Sequence, residues 1–235
     1  MSTPSELRPA NVLISEVGPR DGLQSVKATM ATHAKLAWID ALYASGIREI
    51  EVASFVPAKL LPQMADAAEV VRHALTLPGL TVMALVPNLR GAEAALKAGV
   101  HKITLPVSAS AAHSLANVRK TREEMVEEVR RIAALRRDIA PQVKMEAGIS
   151  TAFGCTIQGA VAEDDVVWLA GAVIEAGADE SGLSDTTGMA NPAQVRRIFN
   201  RVRAEIGDKT GAAHMHNTRG LGLANCLAAY DVGVR

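Results

Sequence analysis

A short punctuation mark recurs along the chain. Ser45-Gly46-Ile47, Ala98-Gly99-Val100, Ala176-Gly177-Ala178 and Val232-Gly233-Val234 each follow a run with helical spacing. In the first three, a strand-like run opens two or three residues later. Glycine just past a helix end takes the left-handed conformation that closes the last turn. Helix, glycine, strand is the rhythm of βα units, and it argues for parallel strands.

The apolar spacing fills in the rest. Buried strands are expected at 12–17, 49–55, 81–86, 102–107, 142–150, 178–183 and 212–216, and helices at 32–45, 64–77, 92–98, 121–139, 164–176, 192–206 and 220–231. Thr121 with Glu124 has the form of a capping box. Asn191-Pro192 reads as an N-cap followed by proline at the first helical position. Seven βα units make most of a (β/α)8 TIM barrel, an α/β fold. A doubly wound open sheet is the competitor, and no strand is followed by the G-x-G-x-x-G turn that would favour it. The expectation is therefore a single TIM-barrel catalytic domain over residues 1–235. A barrel leaves no open edge, and Gly233 announces an eighth strand. The natural protein is expected to continue past Arg235 with that strand and a C-terminal segment.

Composition suits such a core. Hydrophobic residues are 49% and aromatics only 3%, so Ala, Val, Leu and Ile must fill the interior. Lys plus Arg balances Asp plus Glu at 25 each, without the basic stripe of a nucleic-acid partner. Arg130, Arg131, Arg136 and Arg137 are expected on a solvated helix face. No stretch is long and apolar enough to cross a bilayer, and residues 1–9 lack the pattern of a signal peptide. Cys155 and Cys226 do not form a disulfide framework. These features point to a reducing, cytoplasmic setting with no membrane partner.

In such a barrel, chemistry gathers at the C-terminal ends of the strands. Asp21 falls just past the first strand, and His214 and His216 end the seventh. Residues two apart on a strand point the same way. One carboxylate and two imidazoles suit Mn²⁺, or Mg²⁺ with waters completing the shell. Taken alone, His214-Met215-His216 reads equally well as two histidines bonded to backbone, and Asp21-Gly22 as a turn pair. Their place at matching strand ends turns the balance toward a metal set. Arg20 is either an exposed loop arginine or a cation aimed at an oxygen that becomes negative during reaction. Glu51 shares one strand face with Glu49 and needs a partner there, as a structural salt bridge or as part of a site. Asp185 follows the sixth strand, as a turn aspartate or a site residue.

One motif is long and distinctive: Glu16-Val17-Gly18-Pro19-Arg20-Asp21-Gly22-Leu23-Gln24. It resembles the opening motif of the 3-hydroxy-3-methylglutaryl-CoA lyases. The likeness continues through Ser54-Phe55-Val56, residues 62–66, Pro87-Asn88-Leu89-Arg90-Gly91, Phe153-Gly154-Cys155, Ser184-Asp185-Thr186-Thr187-Gly188 and residues 214–220. The resemblance implies retro-Claisen cleavage of 3-hydroxy-3-methylglutaryl-CoA, or a close 3-alkyl analogue, to acetyl-CoA and acetoacetate. It assigns Asp21, His214 and His216 to a divalent metal, Mg²⁺ or Mn²⁺. It gives Arg20 the enolate of the leaving acetyl-CoA, with Glu51 and Asp185 supporting the catalytic centre and Gln24 and Asn88 on the substrate. An acyl-CoA ligand and a homo-oligomer, most simply a dimer, are the partners it implies.

Three departures from the family pattern stand out. Asn217 follows His216 where an aspartate is common. The sixth strand reads Ser181-Gly182-Leu183-Ser184-Asp185, with its small residues displaced. The family's Cys-Pro-Tyr loop and a later asparagine ligand would fall beyond Arg235, and neither Cys155 nor Cys226 is assigned as a catalytic thiol. Two alternatives remain at this stage. One is a related Claisen synthase or 4-hydroxy-2-oxoacid aldolase, against which Leu23 before Gln24 favours the lyase. The other is an inactive, incomplete barrel that only binds a partner.

Overall fold

The computed structural model describes residues 12–235, so residues 1–9, read above for a signal peptide, lie outside it. The elements alternate from end to end. They are β1 (Ser15–Glu16), α1 (Thr32–Ala44), β2 (Glu49–Ser54), α2 (Ala67–Ala74), β3 (Thr81–Leu85), α3 (Leu89–Ala98), β4 (Lys102–Ser108), α4 (Ala111–Val118), α5 (Arg122–Ile139), β5 (Lys144–Ser150), α6 (Glu163–Glu175), β6 (Glu180–Asp185), α7 (Pro192–Ile206), β7 (Thr210–Met215) and α8 (Gly222–Asp231). The four glycines that punctuate the sequence all have positive φ: 103° at Gly46, 88° at Gly99, 110° at Gly177 and 94° at Gly233.

The seven strands are parallel and lie in chain order, β1 to β7. That order decides between the two candidate folds. A doubly wound sheet reverses direction at a switch point. Here every right-handed crossover moves the same way, which puts the helices on one face and curls the sheet into a barrel wall. Among the described residues β1 and β7 do not pair, but their C-terminal ends approach closely enough for Asp21 and His216 to touch, at 3.2 Å.

Small aliphatic side chains pack the core, as the composition requires. Ile50, Val82, Ile103, Leu105, Met145, Ile149 and Leu183 from the strands meet Val70, Ile132, Leu169, Val195 and Ile198 from the helices. Burying a side chain of this size contributes about 2 kcal/mol.

Four sequence expectations are corrected. The first strand is two residues long rather than six, and Val12, Leu13 and Ile14 are exposed. Pro19 then opens a wide turn over Gly18–Gly22, where the N–H groups of Arg20 and Asp21 both donate to the Val17 carbonyl, at 3.1 and 2.7 Å. Helix α4 was not anticipated. The Ser110 hydroxyl caps it by accepting the His113 N–H at 3.1 Å. Residues 62–64 form a separate 3-10 turn before α2, because Pro62 starts a turn of its own. Arg136 leaves the solvated arginine face. It is buried, ion-paired with Asp179, and donates to the Val143 carbonyl at 2.9 Å. Arg130 and Arg131 stay exposed, each with a glutamate one turn away.

Gly182 has a packing reason. A Cβ there would collide with the Glu146 carboxylate and lie 2.9 Å from the Ala212 carbonyl oxygen. β6 and β7 can run side by side at this point only because the residue has no side chain.

Candidate active site

The C-terminal strand ends open into a cavity of about 1000 Å³. Arg20, Asp21, Gln24, Glu51, Asn88, His214 and His216 all line it. Asp185 does not.

Asp21, His214 and His216 converge. Asp21 Oδ2 lies 3.2 Å from His216 Nε2 and 3.4 Å from His214 Nε2, and the two Nε2 atoms are 3.0 Å apart. His216 Nδ1 faces the Thr186 carbonyl at 2.9 Å, so that nitrogen carries a proton and donates. In the neutral ring, Nε2 is then a lone pair turned toward Asp21. Three donor atoms about 3 Å apart match neighbouring ligand positions around a small divalent ion with bonds near 2.1 Å. When the two rings are protonated, their Nε2–H groups donate to Asp21 and hold its carboxyl far below the usual carboxylate range, against the opposing effect of burial and with help from the Arg20 charge. The bond to Asp21 raises His216 above an ordinary imidazole. The donor set fits a divalent cation of the kind the sequence suggested.

Arg20 is buried at 8% exposure and anchored twice. Its Nε donates to Glu51 Oε2 at 2.5 Å, and its Nη1 to Asp21 Oδ1 at 2.8 Å. Among the described residues Nη2 has no protein partner, and the side chain lines the cavity. Glu51 is 1% exposed, and its second oxygen accepts the Thr104 hydroxyl. Both of its oxygens are therefore committed. The salt-bridge reading of Glu51 is correct, and its partner is the arginine of the site.

The remaining expected residues divide. The Asp185 carboxylate is buried behind the site and accepts the N–H groups of Met189 and Ala190, at 2.9 and 3.1 Å. It is the turn aspartate, and the turn it holds presents Thr186 to His216. Asn88 caps α3 by accepting the Gly91 N–H at 3.0 Å while also facing the cavity. Gln24 is exposed at the cavity wall. Asn217 stays clear of the three donor atoms and accepts the Gly222 N–H at 2.9 Å. Cys155 is buried off the cavity, with the N–H groups of Ile157 and Gln158 directed at its sulfur.

Sequence reasoning missed Thr104 and Thr186. The period of two along Lys102, Thr104 and Pro106 was a usable signal for the first, since it puts Thr104 on the face that meets Glu51. Thr186 acts through its carbonyl, which no side-chain pattern reveals.

A curled wall of parallel βα units with its polar constellation at the C-terminal rim defines a TIM-barrel enzyme. The chain belongs to the HMGL-like family, whose model matches residues 11–235. It is 37% identical over 228 residues to the hydroxymethylglutaryl-CoA lyase of Bacillus subtilis, covering 96% of this chain and 75% of that protein. It is 38% identical to a 3-hydroxy-3-isohexenylglutaryl-CoA/hydroxymethylglutaryl-CoA lyase of Pseudomonas aeruginosa, again over 96% and 75%. Among solved structures, an HMG-CoA lyase from A. baumannii in complex with coenzyme A and 3-methylmalate superposes with a TM-score of 0.89 at 37% identity, covering 95% of this chain and 72% of that one. The carboxyl transferase domain of Rhizobium etli pyruvate carboxylase shares the fold at 20% identity and a TM-score of 0.73.

Proposed function

We propose that this chain is a divalent-metal-dependent carbon–carbon lyase that cleaves 3-hydroxy-3-methylglutaryl-CoA to acetyl-CoA and acetoacetate. The observation that carries the reading is the doubly anchored Arg20 beside the Asp21–His214–His216 trio. The family and the named relatives support it.

Asp21, His214 and His216 would hold Mg²⁺ or Mn²⁺. Such an ion polarises substrate oxygens and lowers the pKa of a bound hydroxyl. Arg20 supplies the opposite end of the reaction. The C3 hydroxyl gives up its proton to a base and becomes the ketone. The C2–C3 electron pair moves onto the thioester as an enolate, and that enolate takes up a proton at C2 to give acetyl-CoA. A guanidinium fixed at Nε and Nη1, with Nη2 free of protein partners among the described residues, is held in place at the cavity for that oxyanion and needs no rearrangement as charge develops. Glu51 is a positioning residue, since both of its oxygens are used in holding Arg20 and Thr104. Asp185 positions His216 through the 185–190 turn. Gln24 and Asn88 face the space the acyl group would fill. The two free cysteines are in keeping with a cytoplasmic setting.

The test is an acetoacetate assay with 3-hydroxy-3-methylglutaryl-CoA and Mg²⁺ or Mn²⁺. Product that forms with metal and disappears with chelator is expected. No product with metal, or product indifferent to chelator, would sink the proposal. The same cleavage of a longer-branched 3-hydroxyglutaryl-CoA is a second reading. It is favoured by the cavity volume and by the isohexenyl substrate named for the Pseudomonas aeruginosa relative.

A further inference from the structure

Three permanent cations line the cavity: Arg20, Arg119 and Lys120. Arg20 is committed to Glu51 and Asp21, and Lys120 is paired with Glu128 at 2.6 Å. Arg119 is exposed, and among the described residues it has no ion pair and no side-chain hydrogen bond. Its backbone is left-handed, with φ 57° and ψ 31°, at the C-terminal cap of α4. Glycine is the usual residue in that conformation, and a long side chain there is uncommon. The acidic groups that line the cavity, Asp21, Glu49, Glu51 and Glu146, come from the first turn, β2 and β5. None comes from the α4–α5 segment that carries Arg119.

We infer that Arg119 binds phosphate oxygens of the coenzyme A half of the substrate. The inference rests on the acyl-CoA reading above. An acyl-CoA carries its reacting carbonyl at one end and its phosphates at the other, joined by a long pantetheine arm. The reacting end has to reach Arg20, which is 8% exposed. The phosphates must remain at the exposed rim, where they keep part of their hydration. An unpaired guanidinium on that rim offers a planar fork of donors that matches phosphate oxygens. The acyl carboxylate, by contrast, belongs with the half-buried Asp21–His214–His216 trio.

Isothermal titration of the full chain with Mg²⁺, using coenzyme A and, separately, pantetheine, tests this. Arg119→Asn is the variant to use, because asparagine tolerates the left-handed backbone. An unchanged Tm would show that the loop is intact. The wild type is expected to bind coenzyme A about tenfold more tightly than the variant, with the gap narrowing as salt is added. The two should bind pantetheine equally. Equal coenzyme A affinities would overturn the inference. So would the same loss for both ligands, which would place Arg119 on the arm or the acyl end. A wild type that binds neither ligand would overturn the acyl-CoA reading and this inference with it, whereas the other outcomes leave that reading standing.

Discussion

His216 Nδ1 points at the Thr186 carbonyl oxygen across 2.9 Å, and this contact fixes which of its nitrogens faces Asp21. On the reading proposed above, the imidazole can offer Nε2 to a metal because a backbone oxygen on the neighbouring strand end holds its other side. The Asp185 carboxylate, in turn, ties the N–H groups of Met189 and Ala190 and holds that oxygen in place.

Asp185→Asn should therefore weaken metal binding without touching a ligand. A loss of about tenfold in Mn²⁺ affinity is expected, the usual scale for a partner one shell out. Titration of Mn²⁺ by electron paramagnetic resonance measures it. Unaltered affinity would remove the link between Asp185 and His216.

Glu51→Gln keeps the volume but leaves Arg20 with Asp21 as its one anionic partner. Breaking a buried pair on one side costs about 3 kcal/mol, so a clear drop in Tm is expected. If Arg20 acts on the developing enolate, kcat should fall by about 10- to 100-fold with KM little changed. A variant that raises KM alone would contradict that assignment.

His214→Ala and His216→Ala should each abolish chelator-sensitive activity while leaving the fold intact, since both rings are only half-buried. Far-UV circular dichroism and the acetoacetate assay together check this. Full activity in either variant would remove that histidine from the metal set.

Glu128 gives the stability of the protein a pH dependence. Burial alone would push its carboxyl up. The Lys120 ammonium and the Leu89 N–H, with the charges of Lys120 and Arg131, outweigh that and hold it below its ordinary value of 4.5. A carboxyl lowered in the folded state stabilises fully above its unfolded pKa, and that stability is lost as pH falls through the folded value. Tm of the wild type should fall between about pH 5 and pH 3 more steeply than that of Glu128→Gln. Parallel acid profiles would refute the assignment.

Gly182→Ala should destabilise the protein by about 1–3 kcal/mol through overpacking against Glu146 and the β7 backbone. Thermal unfolding reads this directly. An unchanged Tm would mean the two strands can part without cost.

The parts of the site that were legible share one property: each follows from local spacing. The alternation His214-x-His216 puts two rings on one face, and Glu49-x-Glu51 does the same for two carboxylates. The partners were not legible, because pairing is decided across the sheet. Glu51 could be assigned to an arginine, but only the register of β2 beside the first turn shows that it is Arg20. Asp185 carries a motif position yet faces backbone N–H groups rather than the cavity. Helix α4 was missed because the strand before it ends in small and hydroxyl residues, which read as loop until Ser110 is seen capping a helix.

By itself, the sequence determined the βα rhythm, the helix-closing glycines, the family motif and the residue types available for chemistry. Each depends on steric and periodic rules that act within a few residues. Tertiary structure decided the rest. The strand order curls the sheet until Asp21 meets histidines almost two hundred positions away, the Thr186 carbonyl selects the His216 tautomer, and a chain of hydrogen bonds fixes Arg20. Those choices depend on distances between strands, and only the folded sheet sets them.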